Sequence, residues 1–349
     1  MITSIFSIVI VIWIGIVSVV FWISRKYSTS TPPANKRFVT FNRAIVGDPL
    51  TEGASSASSS SARATMQRRG PTLSIVIPCY NEEERLPPML EETRSFCEAT
   101  IAKCVSDDVA RAEGLFADYE IIVVDDCSKD NTIGVVKAFQ GKYKDCKVLL
   151  VPVTPNHGKG FAVRSGYFHA SGDYVLMADG DNATKIDDVR KLFKELRGAK
   201  TATAGRAEPP TIAVGSRAHL EDVSIAKRTL SRTLLMRVFH FVVAVTYLCG
   251  TRGRKCQIRD TQCGFKLFNR QLCMCLFLSN RLERWAFDVE LLICAAKADL
   301  RIVEVAVNWA EIPGSKVRLM GMVQMGLECL LMCFAYGIGF WGLKSTPVR

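Results

Sequence analysis

The sequence predicts an α/β domain in which a mostly parallel sheet is flanked by helices on both faces. Two observations carry this expectation. Between Leu73 and Ala178, short apolar runs alternate four times with helical stretches, the pattern of strands joined by crossover helices. Each run also stops abruptly in a polar cluster: Pro78 to Glu84, Asp125 to Ser128, Asn156 to Gly160, and Asp179 to Asp181. Ligands of such sheets gather at the carboxyl ends of the strands, so the clusters mark one edge as the site.

The chain opens on an uncharged run, Ile2 to Ile23, rich in Ile, Val, Phe and Trp. That is about the length needed to span a bilayer. No basic residues precede it and no small-x-small cleavage site comes after it, which excludes a secretory leader by pattern. Residues 1–24 are therefore expected to form a transmembrane anchor. The cations Arg25, Lys26, Lys36, Arg37 and Arg43 come after it, placing the rest of the chain on the cytoplasmic side. Residues 25–70 read as a linker, because Ser, Thr, Ala and Pro dominate and large apolar residues are few.

A catalytic domain is expected over 71–316. Its first strand is Leu73 to Ile77, with Pro78 ending the ladder and Glu82, Glu83 and Glu84 opening a helix to about Cys97. A second strand, Tyr119 to Val124, ends in Asp125-Asp126-Cys127-Ser128 and is followed by a helix from Asn131. The third, Val148 to Val153, leads to the turn Asn156-His157-Gly158-Lys159-Gly160 and a helix through Ala170. The fourth, Tyr174 to Ala178, runs into Asp179-Gly180-Asp181.

These strand ends carry chemistry. Residues i and i+2 of a strand share a face, so Asp179 and Asp181 can converge on one point, with Gly180 easing the turn. Two hard oxygen donors suit Mg²⁺ or Mn²⁺ shared with a diphosphate; the bland alternative is a polar turn. Tyr80 can stack on a base and Asp126 can accept from a base or ribose, although acids at strand ends also serve as helix caps. Gly158-Lys159-Gly160 lets backbone and ammonium approach a phosphate. The turn lacks Walker spacing, and no GxGxxG comes after the first strand, so neither a P-loop NTPase nor a dinucleotide enzyme is indicated. His157 and His169 read as structural.

The motifs Ser74 to Glu82, Val124 to Thr132, Asn156 to Gly160 and Ala178 to Asp181 together resemble inverting family-two, nucleotide-sugar glycosyltransferases. The second half narrows the likeness. Gly215 to Leu220, Asp260 to Phe268, Glu283 to Leu292 and Val307 to Ile312 resemble the dolichyl-phosphate β-glucosyltransferases. The resemblance implies a GT-A fold and transfer of glucose from UDP-glucose to dolichyl phosphate at the endoplasmic reticulum membrane, for N-glycan assembly. It implies a uridine pocket from Pro78, Tyr80, Asn81, Glu82 and Asp126, with Asp125 and Lys159 beside it. By the same likeness Asp179 and Asp181 meet the metal and diphosphate. Asp260, Gln262 and Asp288 line the sugar and reaction centre, and Arg217 faces the acceptor phosphate. Asp288 and Glu290 also fit a plain helix-terminal role, and Trp285 fits either the core or a sugar platform.

The remainder bounds the partners. A net charge of +11 comes without zinc-finger spacing, RNP-like motif or repeat, which fits anionic lipid and phosphate substrates rather than nucleic acid. Thirteen scattered cysteines with no CxxC pair read as reduced thiols of a cytosolic domain. Residues 228–247 read as an interfacial helix or a core helix. Residues 317–349 read as a C-terminal membrane-associated segment, in the membrane plane or as a second span, because polar residues interrupt the apolar run Leu319 to Leu343. Two other functions stay open: a related transferase with another donor, such as a mannosyl nucleotide, and a catalytically dead nucleotide-binding membrane protein.

Overall fold

The structure is a computed structural model and describes residues 72–106, 115–198, 210–219, 230–312 and 319–344. The expected anchor and linker over 1–70 lie outside the described residues.

The first half matches the predicted alternation: β1 (Thr72–Cys79), α1 (Leu86–Ser106), β2 (Asp118–Asp126), α2 (Thr132–Lys142), β3 (Val148–Val153), α3 (Lys159–His169) and β4 (Tyr174–Met177). Pro78 does not end β1. It sits inside the strand opposite Val124 of β2. Val76 O accepts from Ala178 N on the β4 side, and by alternation Pro78 faces that same side, where β4 has already ended. No ladder bond is lost, so the proline is tolerated.

After α4 (Val189–Gly198) the chain adds β5 (Ile212–Ser216), α5 (Leu230–Gly250), β6 (Lys266–Asn269), α6 (Met274–Ser279), α7 (Phe287–Lys297), β7 (Ile302–Ala306) and α8 (Leu319–Gly337). The sheet order is β3-β2-β1-β4-β6-β5-β7. Only β6 runs backwards, antiparallel to both β4 and β5. Sequence reading missed β5, β6 and β7, which are four or five residues long.

Both faces of the sheet are covered, as continuous apolar strands require. Ile75, Ile77, Ile121, Val123, Leu176 and Leu267 pack with Leu86 and Leu90 of α1 and with Val189 and Phe193 of α4. Their neighbours Val76, Ile122, Val124, Val175, Met177 and Phe268 point the other way, towards α3, α7, α5 and α8. Helices α5 and α8 pack on each other, with Thr246 Oγ1 donating to Cys329 O at 3.4 Å. Their outer faces stay apolar and exposed: Val238, Phe241, Val245 and Leu248 on α5, and Val323, Leu327 and Leu330 on α8. No described helix is long and apolar enough to cross a membrane. The cysteines whose side chains are described are all free thiols.

Candidate active site

The polar ends of the strands converge along one edge of the sheet. The loops after β1 and β2 are laced together. Asn81 takes a left-handed backbone, φ 55°, which asparagine tolerates better than most residues. Its N–H donates to Ser128 Oγ at 2.8 Å, and its Oδ1 accepts from Lys129 N at 2.7 Å. Glu82 N donates to Thr132 Oγ1 at 2.8 Å, while its carboxylate receives the fork of Arg85 in two bonds of 2.8 Å. Glu83 and Asp130 close the lacing from both sides. Tyr80 is half-buried at the rim. Asp125 is buried; one oxygen accepts from Ser128 N at 3.1 Å, and the other has no hydrogen-bond partner.

Asp126 organises the third loop. Its carboxylate accepts from His157 N at 2.8 Å, Gly158 N at 2.6 Å and Asn156 Nδ2 at 2.8 Å. Burial pushes its carboxyl upwards, and the His157 and Gly158 amides pull it back down. Sequence reading offered these oxygens to a base or ribose; the structure spends them on the turn. That turn needs Gly158, whose φ is 113° and whose missing Cβ would meet Glu283 O at 2.8 Å. His157 stacks on Phe161 at 4.2 Å and faces Glu283, and His169 Nδ1 lies 2.8 Å from Ser165 O. Both histidines are structural.

Lys159, at the start of α3, points into the site, with Nζ 2.6 Å from Asp179 Oδ1. Burial would depress its ammonium, but Asp179, Asp288 and Asp181 together hold it above the usual lysine value. Asp181 turns one oxygen back to Ala183 N at 3.0 Å. The left-handed residue of this turn is Asn182, φ 59°, not Gly180. Gly180 instead allows a close approach: a Cβ there would lie 3.2 Å from Cys79 Sγ.

The second half supplies the opposite wall. Arg217, just beyond β5, is gripped by Asp260 through Nε at 2.7 Å, one Nη at 2.9 Å and its own N–H at 2.9 Å. It lies 5.5 Å from the ring centroid of Trp309. This pairing raises the guanidinium above its usual value; burial alone would raise the Asp260 carboxyl, but Arg217 leaves it below the normal range. Gln262 Nε2 donates to Met325 Sδ at 2.9 Å. Asp288, in the first turn of α7, is buried and paired with Lys266, whose Nζ also donates to Cys263 O at 2.7 Å. Burial pushes Asp288 up; Lys266 and Lys159 pull it back.

Asp179, Asp181, Lys159, Asp288, Arg217 and Asp260 thus form one charged cluster, with Asp179 felt by Lys159, Asp288 and Arg217 alike. Glu290 stays out of it. Its carboxylate is fully buried and accepts from Arg281 N, Leu282 N and Tyr336 OH at 2.7–2.8 Å, a structural role. Trp285 is half-buried beside Lys159, whose Nζ lies 6.0 Å from a ring centroid. Lys266 and Gly264 were not singled out by sequence reading. A lysine between Phe265 and Leu267 in an apolar run was the available signal.

Among the described residues, no group of three or more acidic, His or Cys side chains is placed to hold a metal ion. The two carboxylates of Asp179 and Asp181 nevertheless fit a hard cation that takes its other oxygens from a diphosphate and water.

A family model described as glycosyl transferase family 2 matches residues 74–277. The chain is similar to the dolichyl-phosphate beta-glucosyltransferase of Homo sapiens, at 46% identity over 275 residues and 78% of each chain. The protein of that name from Saccharomyces cerevisiae is 36% identical over 277 residues, covering 77% of this chain and 76% of its own. A solved structure of glucosyl-3-phosphoglycerate synthase from Mycobacterium tuberculosis, in complex with phosphoglyceric acid, is 19% identical with a TM-score of 0.49, covering 82% of this chain and 84% of its own.

Proposed function

The chain belongs to glycosyl transferase family 2, and from that premise we propose that it moves glucose from UDP-glucose to dolichyl phosphate with inversion, giving dolichyl β-glucosyl phosphate. The observation that carries the chemistry is that two cations stand at the strand ends, Lys159 on Asp179 and Arg217 locked on Asp260. Such a place suits two anions brought together. Acceptor and donor sugar are taken from the relatives' names.

The residue roles are those the family resemblance implies, and the geometry supports them. The laced loops after β1 and β2 bear Pro78, Tyr80, Asn81, Glu82 and Asp125 and hold the uridine. Asp126 shapes the turn that presents Lys159 to the diphosphate. Asp179 and Asp181 would hold Mg²⁺ or Mn²⁺, which would neutralise charge on the leaving diphosphate. Asp260, Gln262 and Asp288 line the sugar side. Asp260 spends Nε and one Nη of Arg217, leaving the other Nη for the acceptor phosphate, which a guanidinium fork matches well.

The acceptor oxygen attacks the anomeric carbon from the face opposite the diphosphate. A new C–O bond forms as the bond to UDP breaks, and UDP leaves with the electron pair. A phosphate monoester has a second pKa of about 6 and is largely dianionic at neutral pH. No protein base is required for this attack. Asp288, bound to Lys266, orients rather than deprotonates.

The lipid part of the acceptor needs an apolar surface on the same domain. Phe241 and Val245 of α5, with Leu327 and Leu330 of α8, supply one; it rests in the plane of the bilayer surface. The segment 1–24 anchors the protein in the endoplasmic reticulum membrane, with the domain on the cytosolic face, since its cations come after the apolar run.

The test is a donor panel. UDP-glucose, GDP-mannose and other nucleotide sugars are each offered with dolichyl phosphate, and the product anomer is read by NMR. Transfer confined to UDP-glucose with a β product supports the assignment. Preference for a mannosyl nucleotide, or no transfer with any donor, overturns it.

A further inference from the structure

Helix α8 is apolar except for Gln324 and one carboxylate, Glu328, and that carboxylate is buried, 4% exposed. A buried acid in an apolar helix is costly unless its oxygens are engaged. Here both are: Oε1 accepts from Gln324 Nε2 at 2.9 Å, and Oε2 accepts from Ala286 N at 3.3 Å. Ala286 is the residue before α7; its carbonyl takes the first bonds of that helix, from Val289 N at 3.1 Å and Glu290 N at 3.2 Å. Glu328 therefore grips the amino end of α7, where the helix dipole favours negative charge. Trp285 lies one residue before Ala286 and Asp288 two after it.

Glu328 does not act alone on the site wall. Met325, three residues earlier, receives Gln262. A Cβ on Gly321 would lie 3.8 Å from Trp285 Nε1. Positions 321, 325 and 328 are spaced i, i+4 and i+7, so they form one helical stripe, turned towards Trp285, Gln262 and Ala286. The exposed Val323, Leu327 and Leu330 form the opposite stripe.

We infer that Glu328 is a positioning residue for glucosyl transfer: by holding the Ala286 amide it fixes the first turn of α7, and so Trp285 and Asp288, against the donor sugar. The inference rests on the functional reading above, which says what Asp288 lines. It also assigns α8 a place in the active-site wall, beyond its contact with lipid.

The test uses the full-length protein with Glu328→Leu and Glu328→Gln. Leucine is of similar size but leaves the buried Ala286 amide without its acceptor, so a purely structural role predicts lost stability with kcat of the folded protein unchanged. Glutamine keeps one carbonyl acceptor for Ala286. Expected for Glu328→Leu is a fall in kcat of roughly ten- to a hundredfold, as misplaced reacting groups produce, with the KM for UDP-glucose moving less than about threefold. Glu328→Gln should stay within about threefold of wild type in both constants. Amide hydrogen exchange over 283–290 should speed up in the leucine variant and return towards wild type in the glutamine variant. A Glu328→Leu protein with wild-type kcat and protection over 283–290 overturns the inference, and so does one that fails to fold. If the wild type moves no glucose, the functional reading fails instead, and the exchange data still decide what Glu328 holds.

Discussion

The Cα of Gly264 presses against the carboxylate of Asp179, so that a Cβ at 264 would stand 1.9 Å from Asp179 Oδ2. The clash falls on the end of a side chain rather than on backbone. The chain would relieve it by swinging Asp179 off Lys159, leaving the fold in place. Gly264→Ala is therefore expected to lower transfer by roughly a hundredfold or more, the scale of losing a placed electrostatic group, with little change in thermal midpoint. Rates and calorimetry on one preparation check this; a fully active alanine variant would show that Asp179 need not hold its present position.

Asp181→Asn should abolish transfer while keeping the turn. Asparagine Oδ1 can still accept from Ala183 N, as Asp181 Oδ1 does at 3.0 Å, but the anionic oxygen for a cation is gone. Titration of Mn²⁺ in the presence of UDP, monitored by electron paramagnetic resonance, should show weakened retention of the ion. Normal retention and normal turnover would remove Asp181 from the metal site.

Much of this site could be read before the fold was known, for a definite reason. β1, β2 and β4 are apolar runs that stop at a polar residue, so a linear scan finds the strands and the residues at their ends together. Lys266 shows where that fails. Its partner Asp288 sits on another element, so the apolar run around Lys266 can hint at burial but not at the pairing. At Asp126 a linear reading finds the carboxylate at the strand end but not that Asn156, His157 and Gly158 donate to it. The short strands β5, β6 and β7 escaped because runs of four or five residues carry too little periodicity to separate from loop.

The Lys266 and Asp288 pair makes a stability prediction. Both side chains are almost fully buried, and removing one member of such a pair leaves an uncompensated charge at a cost of about 3–5 kcal/mol. Lys266→Met should lower the denaturation midpoint sharply, and adding Asp288→Leu should restore most of it. The double variant should nonetheless transfer no glucose, since Asp288 lines the sugar site. Denaturant unfolding separates the two effects; a double variant as unstable as Lys266→Met would mean the pair is not an isolated unit.

Arg217→Ala should raise the KM for dolichyl phosphate more than that for UDP-glucose, and Arg217→Lys should recover only part, because an ammonium lacks the fork that Asp260 and a phosphate can share. Asp260→Asn should reproduce the defect more weakly by loosening Arg217. The wild-type rate should climb as pH rises through about 6, the second ionisation of the acceptor, and then level off. If Asp288→Asn alone removed all turnover with both substrates still bound, the carboxylate would be the base or an essential orienter, and the attack would not be independent of it.

The exposed stripe on α5 and α8 predicts surface binding. A protein starting at Gln67, without the apolar run, should still float with vesicles containing anionic lipid, and less so in high salt. Phe241→Glu with Leu327→Glu should abolish flotation. Flotation unaffected by both changes would place the membrane contact elsewhere.

The single reversed strand has a consequence for how the protein comes into being. β6 slots between β4 and β5, and Gly264, which backs Asp179, lies just before it. A ribosome releases the nucleotide-binding loops early, in neighbouring strand-helix units able to close as they emerge. Asp179 has nothing behind it until the later chain returns and inserts against the direction of its neighbours. Catalytic competence is thus a late event of synthesis. A nascent chain halted before β6 would carry the loops proposed to bind the nucleotide, with Asp179 still unsupported.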